Sequence, residues 1–398
     1  MFENILKKEV QDFINQNLNS DISKLLFKGS PFADVDIKEL VNQIEAKNKS
    51  KTKLNTWFNA KNIVFPAKLS IEQTSSEKTA QFKSSLFGGK SAIDLTGGFG
   101  IDSFYFANNF GHFIHCEYNK ELSDIVKHNF SVLGKNNVDF ISGDGLEYLK
   151  NTSEKFDLIY LDPARRSDVK GKVFMLADTQ PNPVENLELL FAKSDDILIK
   201  VSPLLDLKKT LRELKNVKTI YIVSLNDEVK ELLFHLKQGH NSDVIIESVD
   251  LYYSKNKVQN NFSINDGNFN ANYSNPKKYI YEPSATVMKA GAFNQVSDKF
   301  GLNKIAINSH LYTSNELIDN FQGRVFEVVN TSKPNKKEIK NNLPSMKANI
   351  TTRNYPMSVV DIRKKFKIKD GGKDYLFFTT DANNQTLIIY GRKILQTK

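Results

Sequence analysis

The sequence predicts a doubly wound α/β sheet, preceded by a helical region and followed by small α+β domains. Three observations predict it. From Ser91 onward, short β-branched runs alternate with helix-compatible stretches, which is the pattern of βαβ units. The first five runs are nearly continuous in apolar residues, as strands covered on both faces require. Asp94, Glu117, Asp144 and Asp162 stand at the ends of the first four runs, the edge where an open parallel sheet binds its ligands.

Residues 1–69 read as helical, because Phe2, Ile5, Leu6, Val10, Phe13 and Ile14 recur at three-to-four spacing. Ser20 or Asp21 is placed to cap a helix carrying Ile22, Leu25 and Leu26, and Leu40, Val41 and Ile44 mark another. After Pro66, SIEQTSSEKTAQFKS reads as a turn and a helix. Residues 70–253 hold the sheet, with runs SAIDL (91–95), HFIHCEY (112–118), VDFIS (138–142), FDLIYLD (156–162), DILIKVS (196–202), KTIYIVSL (218–225) and DVIIESVDLYY (243–253). ELSDIVKHNFSVL and LLDLKKTLREL are helix-compatible connections. Residues 254–276, with eight Asn, Gly267 and Pro276, read as a linker. A small α+β segment, 277–330, includes YIYEPSATVMKAGAF and GRVFEVV. The last segment, 331–398, offers a helix in SVVDIRKKFKI, a DGG turn at 370–372, and strands in DYLFFTT and TLIIYGR.

Composition narrows the function classes. With 40% hydrophobic and 25% charged residues in 398, the chain is globular rather than disordered. No apolar run is long enough for a transmembrane helix, and MFENILKKEV lacks a secretory layout. Cys116 is the single cysteine, so internal disulfides and multi-cysteine metal sites are excluded and a reducing cytoplasm fits. His112, His115, His128, His235 and His240 show no ligand spacing, so no metal is expected. The net charge of +9 is localised: residues 331–398 hold 15 Lys and Arg against 5 acidic residues, while the rest holds 40 against 41. Such a segment is the electrostatic footprint of a nucleic-acid-binding module, set against the plainer reading of a solvated Lys-rich surface. Arg353, Arg363, Lys364, Lys365, Lys367 and Lys369 are the candidate phosphate partners. On a helix, Arg363 and Lys367 share a face while Lys364 points elsewhere.

The most informative stretch is AIDLTGGFGID (92–102), where a strand ends in Asp94 and Gly97, Gly98 and Gly100 line the turn into a helix. Glycine lets backbone approach a ligand closely. Glu117, 20 residues after Gly97, can accept both hydroxyl protons of a ribose, and Asp144 can meet an adenine amino group. Each acid taken alone could simply cap the next helix; four in register point to one crevice. A nicotinamide enzyme is disfavoured, because the dinucleotide fingerprint needs Gly or Ala where Ser103 stands.

DLTGGFG, CEYN, SGDG and DLIYLDPAR, in that order over about residues 70–253, resemble the motifs of class I S-adenosylmethionine-dependent methyltransferases. The resemblance implies that Asp94, Thr96, Gly97, Gly98 and Gly100 hold the methionine moiety of S-adenosyl-L-methionine, Glu117 its ribose, and Asp144 with Gly145 its adenine. Thr96 replaces the first small residue of the family turn. The whole chain is similar to a narrower bacterial family with a ferredoxin-like insert and a C-terminal THUMP-like domain, through EQTSSEKTAQFK, YLDPARR, IKVSPLLD, YIYEPSA and NITTRNYP. THUMP domains bind RNA, so the resemblance implies a tRNA or rRNA substrate.

Base-amine methyltransferases of this superfamily carry Asp/Asn-Pro-Pro-aromatic where this chain has Asp162, Pro163, Ala164 and Arg165. In that resemblance Asp162 and Pro163 orient the acceptor, and Arg165 stacks on a base or holds a phosphate. The plainer, less favoured reading of Arg165 and Arg166 is a solvated surface pair. Methylation at a pyrimidine carbon needs a cysteine nucleophile, and Cys116 lies on the wrong strand for it. N-methylation of a base is therefore the leading reaction class, with ribose O-methylation left open. Tyr160, Phe99 and Phe174 are candidate stacking rings, of which Tyr160 and Phe99 better suit the core; Ser202 and Pro203 are candidate pocket residues. The alternatives are a protein or small-molecule methyltransferase, and a non-catalytic RNA-binding protein that retains the cofactor fold.

Overall fold

The computed structural model describes residues 2–165, 175–254 and 256–395, with the backbone alone at Arg165. Arg166 and Phe174 therefore lie outside the described residues. The chain divides into two compact units, residues 1–218 with 231–242 and residues 219–230 with 243–398.

In the first unit, helices Lys8–Gln16, Ile22–Lys28 and Ile37–Lys53 bury Val10, Ile14, Leu25, Leu40 and Ile44 in one cluster. Asp21 caps the second helix, accepting the Ser23 N–H at 2.9 Å. Where one helix is expected after Pro66 there are two, Lys68–Gln73 and Glu77–Ser84, because Ser76 takes up an N-cap position and accepts the Thr79 N–H. The strands of this unit are β1 (Gly89–Asp94), β2 (Phe110–Glu117), β3 (Val138–Ser142), β4 (Leu158–Leu161), the short pair β5 (Ala164–Arg165) and β6 (Thr179–Gln180), and β7 (Asp196–Val201). Then come β8 (Val217–Leu225) and β9 (Glu228–Lys237). The unit's sheet runs β9-β7-β4-β1-β2-β3. It is parallel except for β9, which is antiparallel to β7. The apolar runs become its buried strands, with Ile93, Phe113, Ile159 and Leu198 fully covered. Strand β9 is absent from the seven runs read in the sequence.

In the second unit β10 (Ile245–Leu251) pairs in parallel with β8 and antiparallel with β11 (Val258–Ser263). β11 lies inside the Asn-rich stretch expected to be a linker. Its polarity is that of an edge strand, with Phe262 as its one buried residue and Asn260 donating to Gln322. The remaining strands are β12 (Tyr279–Pro283), β13 (Asn303–Lys304), β14 (Tyr312–Ser314), β15 (Gly323–Ser332), β16 (Lys347–Thr352), β17 (Lys369–Thr380) and β18 (Thr386–Ile394). They form one sheet in the order β13-β14-β12-β15-β18-β17-β16. The boundary expected between residues 330 and 331 therefore falls within β15. Ile280, Ile305, Leu311, Phe326, Phe377 and Ile389 form a core drawn from both sides of it. The expected DGG turn is instead an irregularity within β17, where Gly371 and Gly372 take φ near +90° and the β16 register shifts.

Candidate active site at the carboxyl ends of the parallel strands

Register brings the acids together. Asp94 ends β1 opposite His115 of β2 and Tyr160 of β4, and Glu117 ends β2 opposite Ser142 of β3. Asp162 follows β4 directly. Asp144 stands two residues beyond β3 and caps the helix Gly145–Asn151, accepting the Leu146 N–H at 2.8 Å through Oδ1. The capping reading of that acid therefore holds, while its Oδ2 has no protein partner among the described residues.

The glycine turn is held from beneath. The Gly97 N–H donates to the Cys116 carbonyl at 2.7 Å, and a Cβ at Gly97 would meet the His115 ring at 2.0 Å. Gly98 and Gly100 take left-handed φ of +56° and +77°. A Cβ at Gly145 would lie 2.5 Å from the Leu95 carbonyl oxygen, so the β3 loop abuts the turn. Glu117 is fixed by two backbone donors, Gly98 N–H at 2.8 Å and Asn119 N–H at 2.7 Å, one on each oxygen. A carboxylate accepts about four hydrogen bonds, so both oxygens retain capacity for ligand hydroxyls.

Asp94 is buried and accepts from Thr96 N–H (2.9 Å) and from the Ser103 hydroxyl (2.6 Å). Burial pushes its pKa up to about 7, against the lowering effect of these bonds. Ser103 in turn contacts His115 Nδ1 at 3.0 Å, and burial pushes His115 down to about 3. Thr96 joins the turn to the end of β4, because its hydroxyl accepts the Asp162 N–H at 2.6 Å.

Sequence reasoning missed the partners of Asp162. Leu161 pairs with Ile199, so the next residues, Asp162 and Lys200, are neighbours, and their side chains form an ion pair. Lys200 pairs with Leu233 of antiparallel β9, which puts Glu231, two residues away, on the same sheet face. Glu231 is paired by Lys83 at 2.7 and 2.8 Å, and Lys83 also approaches Asp102 at 3.2 Å. Asp102 accepts from the Tyr160 hydroxyl at 2.7 Å and from Ser75 at 2.8 Å. The cluster is closed to water at Lys83, whose side chain is 0% exposed, and opens at Asp162, at 36%. Burial alone would lower the Lys200 ammonium, but the carboxylates of Asp162, Asp102 and Glu231 raise it above the usual lysine range. Burial opposes ionisation of Asp102 too, yet Lys83 and Lys200 hold it below the ordinary range; burial raises Glu231. The available signal was a lysine inside an apolar strand, DILIKV, where an unpaired ammonium would be costly.

Other expected residues fall as follows. Pro163 is buried beside Asp162, and Ser202 and Pro203 follow β7, half-buried. Tyr160 and Phe99 are core rings, 1% and 4% exposed, so neither is available to stack on a base. Cys116 is buried in β2, and its thiol pKa is raised by burial and by nearby Asp94 and Asp144. The described residues contain no group of three side chains that could hold a metal.

In the second unit Arg353 pairs with Glu282 at 3.0 Å, and Glu282 also accepts from Arg324 Nε at 2.8 Å. Arg363 donates to the Ala348 carbonyl at 3.1 Å and pairs with Asp370 at 2.5 Å. Both arginines are thus engaged within the fold. The helix spans Val359–Phe366, and Lys367 follows it with φ +58°, so Arg363 and Lys367 do not share a helical face as expected. Lys364, Lys365, Lys367 and Lys369 are exposed.

A ferredoxin-like domain family matches residues 279–321, and a THUMP domain-like family matches residues 323–393. A crystal structure described as a "putative methyltransferase" from Porphyromonas gingivalis W83 is 30% identical, with 99% of each chain covered and a TM-score of 0.89. The chain belongs to this methyltransferase family. Its class I sheet, ferredoxin-like domain and THUMP-like domain follow the family's plan. Two further structures match at low similarity. An rRNA methylase from Streptococcus thermophilus is 16% identical, with 40% of this chain and 93% of that chain covered and a TM-score of 0.30. M. capricolum TrmK in complex with S-adenosyl-homocysteine is 16% identical, with 42% and 70% covered and a TM-score of 0.32. None of the curated proteins compared with the chain matches it.

Proposed function

We propose that this methyltransferase uses S-adenosyl-L-methionine to methylate an RNA, tRNA or rRNA, in the cytoplasm and without a thiol adduct. The observation that carries the reading is the arrangement of Asp94, Glu117, Asp144 and Asp162 around the glycine turn in one unit. The residues fit the cofactor. A Cβ at Gly98 would meet only the Thr96 carbonyl oxygen at 3.9 Å, and one at Gly143 would meet nothing within 4 Å, so both face open space. When bound, the cofactor supplies an electrophilic methyl group on a sulfonium. Asp94, Thr96, Gly97, Gly98 and Gly100 border its methionine end. Glu117 accepts from the ribose hydroxyls, and Asp144 Oδ2 with Gly145 borders the adenine. Asp162 and Pro163 hold the acceptor. The buried Cys116 is unsuited to attack a pyrimidine ring. A base amine and a ribose hydroxyl both suit an RNA substrate, and the partners of Asp162 bear on the choice.

Calorimetry tests the cofactor site. Charge-assisted hydrogen bonds contribute about 1.5–3 kcal/mol each, so Glu117→Ala lowers S-adenosyl-L-methionine affinity at least tenfold. Unchanged affinity in a folded variant would remove the assignment. For RNA, the support is the basic C-terminal segment with its exposed lysines. Replacing Lys364, Lys365, Lys367 and Lys369 by Glu weakens RNA binding and reduces the slope of log affinity against log salt by up to about 3, with cofactor affinity retained. An unchanged slope would favour a protein or small-molecule acceptor.

A further inference from the structure

We propose that the methyl acceptor is a hydroxyl oxygen, the ribose 2′-hydroxyl of an RNA nucleotide, and that the Lys200 ammonium beside Asp162 favours its deprotonation. The inference rests on the reading of Asp162 as the acceptor-side residue. It comes from the sign of the charge that develops during transfer. An amine attacks with its lone pair and becomes positive, so a neighbouring ammonium opposes it. A hydroxyl oxygen becomes alkoxide-like as its proton leaves, so a neighbouring ammonium stabilises it. At the acceptor position this protein has an ion pair, Asp162 with Lys200, rather than a lone carboxylate.

The surroundings keep that ammonium in place. Lys200 is 12% exposed, and Asp102 and Glu231 act on it from beneath. Lys83 neutralises much of those two anions, since it pairs with Glu231 at 2.7 Å and with Asp102 at 3.2 Å. The lysine therefore stays protonated and serves as a fixed positive charge rather than as a base. Among the described residues Asp162 Oδ2 is held by Lys200 and Oδ1 has no partner, which leaves Oδ1 to accept the hydroxyl proton. In the step, the oxygen bonds to the methyl carbon as the sulfur–carbon bond breaks. That electron pair stays on sulfur, which leaves as a neutral thioether. The hydroxyl proton passes to Asp162 and then to water. No further reactant is required.

The test uses the full-length protein, radiolabelled S-adenosyl-L-methionine, and total RNA from a strain lacking the gene. A 2′-O-methyl group blocks alkaline cleavage at its own phosphodiester, so the label is expected in alkali-stable dinucleotides. Label in mononucleotides carrying a methylated base overturns the hydroxyl acceptor and leaves the RNA methyltransferase intact. No label in any RNA, with cofactor bound normally, overturns both. Lys200→Met is expected to lower kcat about 100-fold at pH 7 with little change in KM, and to recover as pH rises and the hydroxyl ionises unaided. Lys200→Arg keeps the charge and part of the rate. Equal losses in Lys200→Met at every pH, with KM affected as much as kcat, would assign Lys200 to structure alone and overturn its role.

Discussion

Two buried polar clusters, one in each unit, are built on different terms. In the first unit Lys83, Asp102, Glu231, Lys200 and Asp162 form a chain of full charges that begins in the dry interior and ends at a half-exposed carboxylate. In the second unit Asp250 is the single charge of its cluster. Its Oδ1 accepts from Ser224 (2.6 Å) and Thr286 (2.8 Å), and its Oδ2 accepts from Gln322 (2.9 Å). Ser248 and Ser284 close the ring on Thr286. Every member is buried, at 9% exposure or less. Neutral donors suffice to fix strands, so the YIYEPSA motif, which supplies Ser284 and Thr286 follows, has a structural explanation. Paired lysines that lead to an open edge do more than fixing requires.

The largest expected effect is on the charged cluster. Lys83→Met leaves Glu231 buried without its ammonium, which costs about 3–5 kcal/mol of folding stability. Lys83→Met combined with Glu231→Leu recovers most of that loss. Urea denaturation of the single and double variants checks both statements, and a single variant within about 1 kcal/mol of the parent would show that the cluster is not tightly coupled. A smaller loss, about 1–3 kcal/mol, follows from Asp250→Asn, which turns an amide N–H₂ toward one of the present donors. Its cofactor affinity by calorimetry is unchanged; a drop would erase the distinction between the clusters.

The smallest effect is a pH dependence that the parent protein largely hides. Asp94, raised to about 7 by burial, holds in the folded state a proton that the unfolded chain has lost above about pH 4. Its contribution is present at low pH and is lost as pH rises through 7. His115, lowered to about 3 by burial, refuses a proton that the unfolded chain takes up below about pH 6.5, so its contribution is lost as pH falls. Between about pH 4 and 6.5 the two slopes offset each other. Asp94→Asn exposes the His115 slope, so stability falls on acidification by up to about 1.4 kcal/mol per pH unit relative to the parent. Denaturation midpoints at pH 5 and pH 6.5 measure it, and identical pH profiles would disprove the compensation.

The rim of the proposed cofactor site was legible as a set of residues brought together, because they sit at strand ends within short motifs, and hydrophobic runs locate strand ends. Glu117 and the glycine turn depend on local geometry alone. The proposed acceptor side was not legible, because Lys83, Asp162, Lys200 and Glu231 lie far apart in the sequence and meet only through strand register and the packing of the helix that carries Lys83. One of the strands that sets that register, β9, reads as EVKELLFHLK, whose Glu231 gives no hint of burial. Arg353 and Arg363 show what charge patterning leaves out. Charge patterning counts an arginine as available, while Glu282 and Asp370 engage these two.

The two units interleave along the chain, which changes unit after residues 218, 230 and 242. A single genetic crossover cannot exchange one of them whole. Any recombination event that imported a different second unit would also have to preserve residues 231–242, and with them Glu231. The charge arrangement beside Asp162 is thus inherited together with the segments on either side of it.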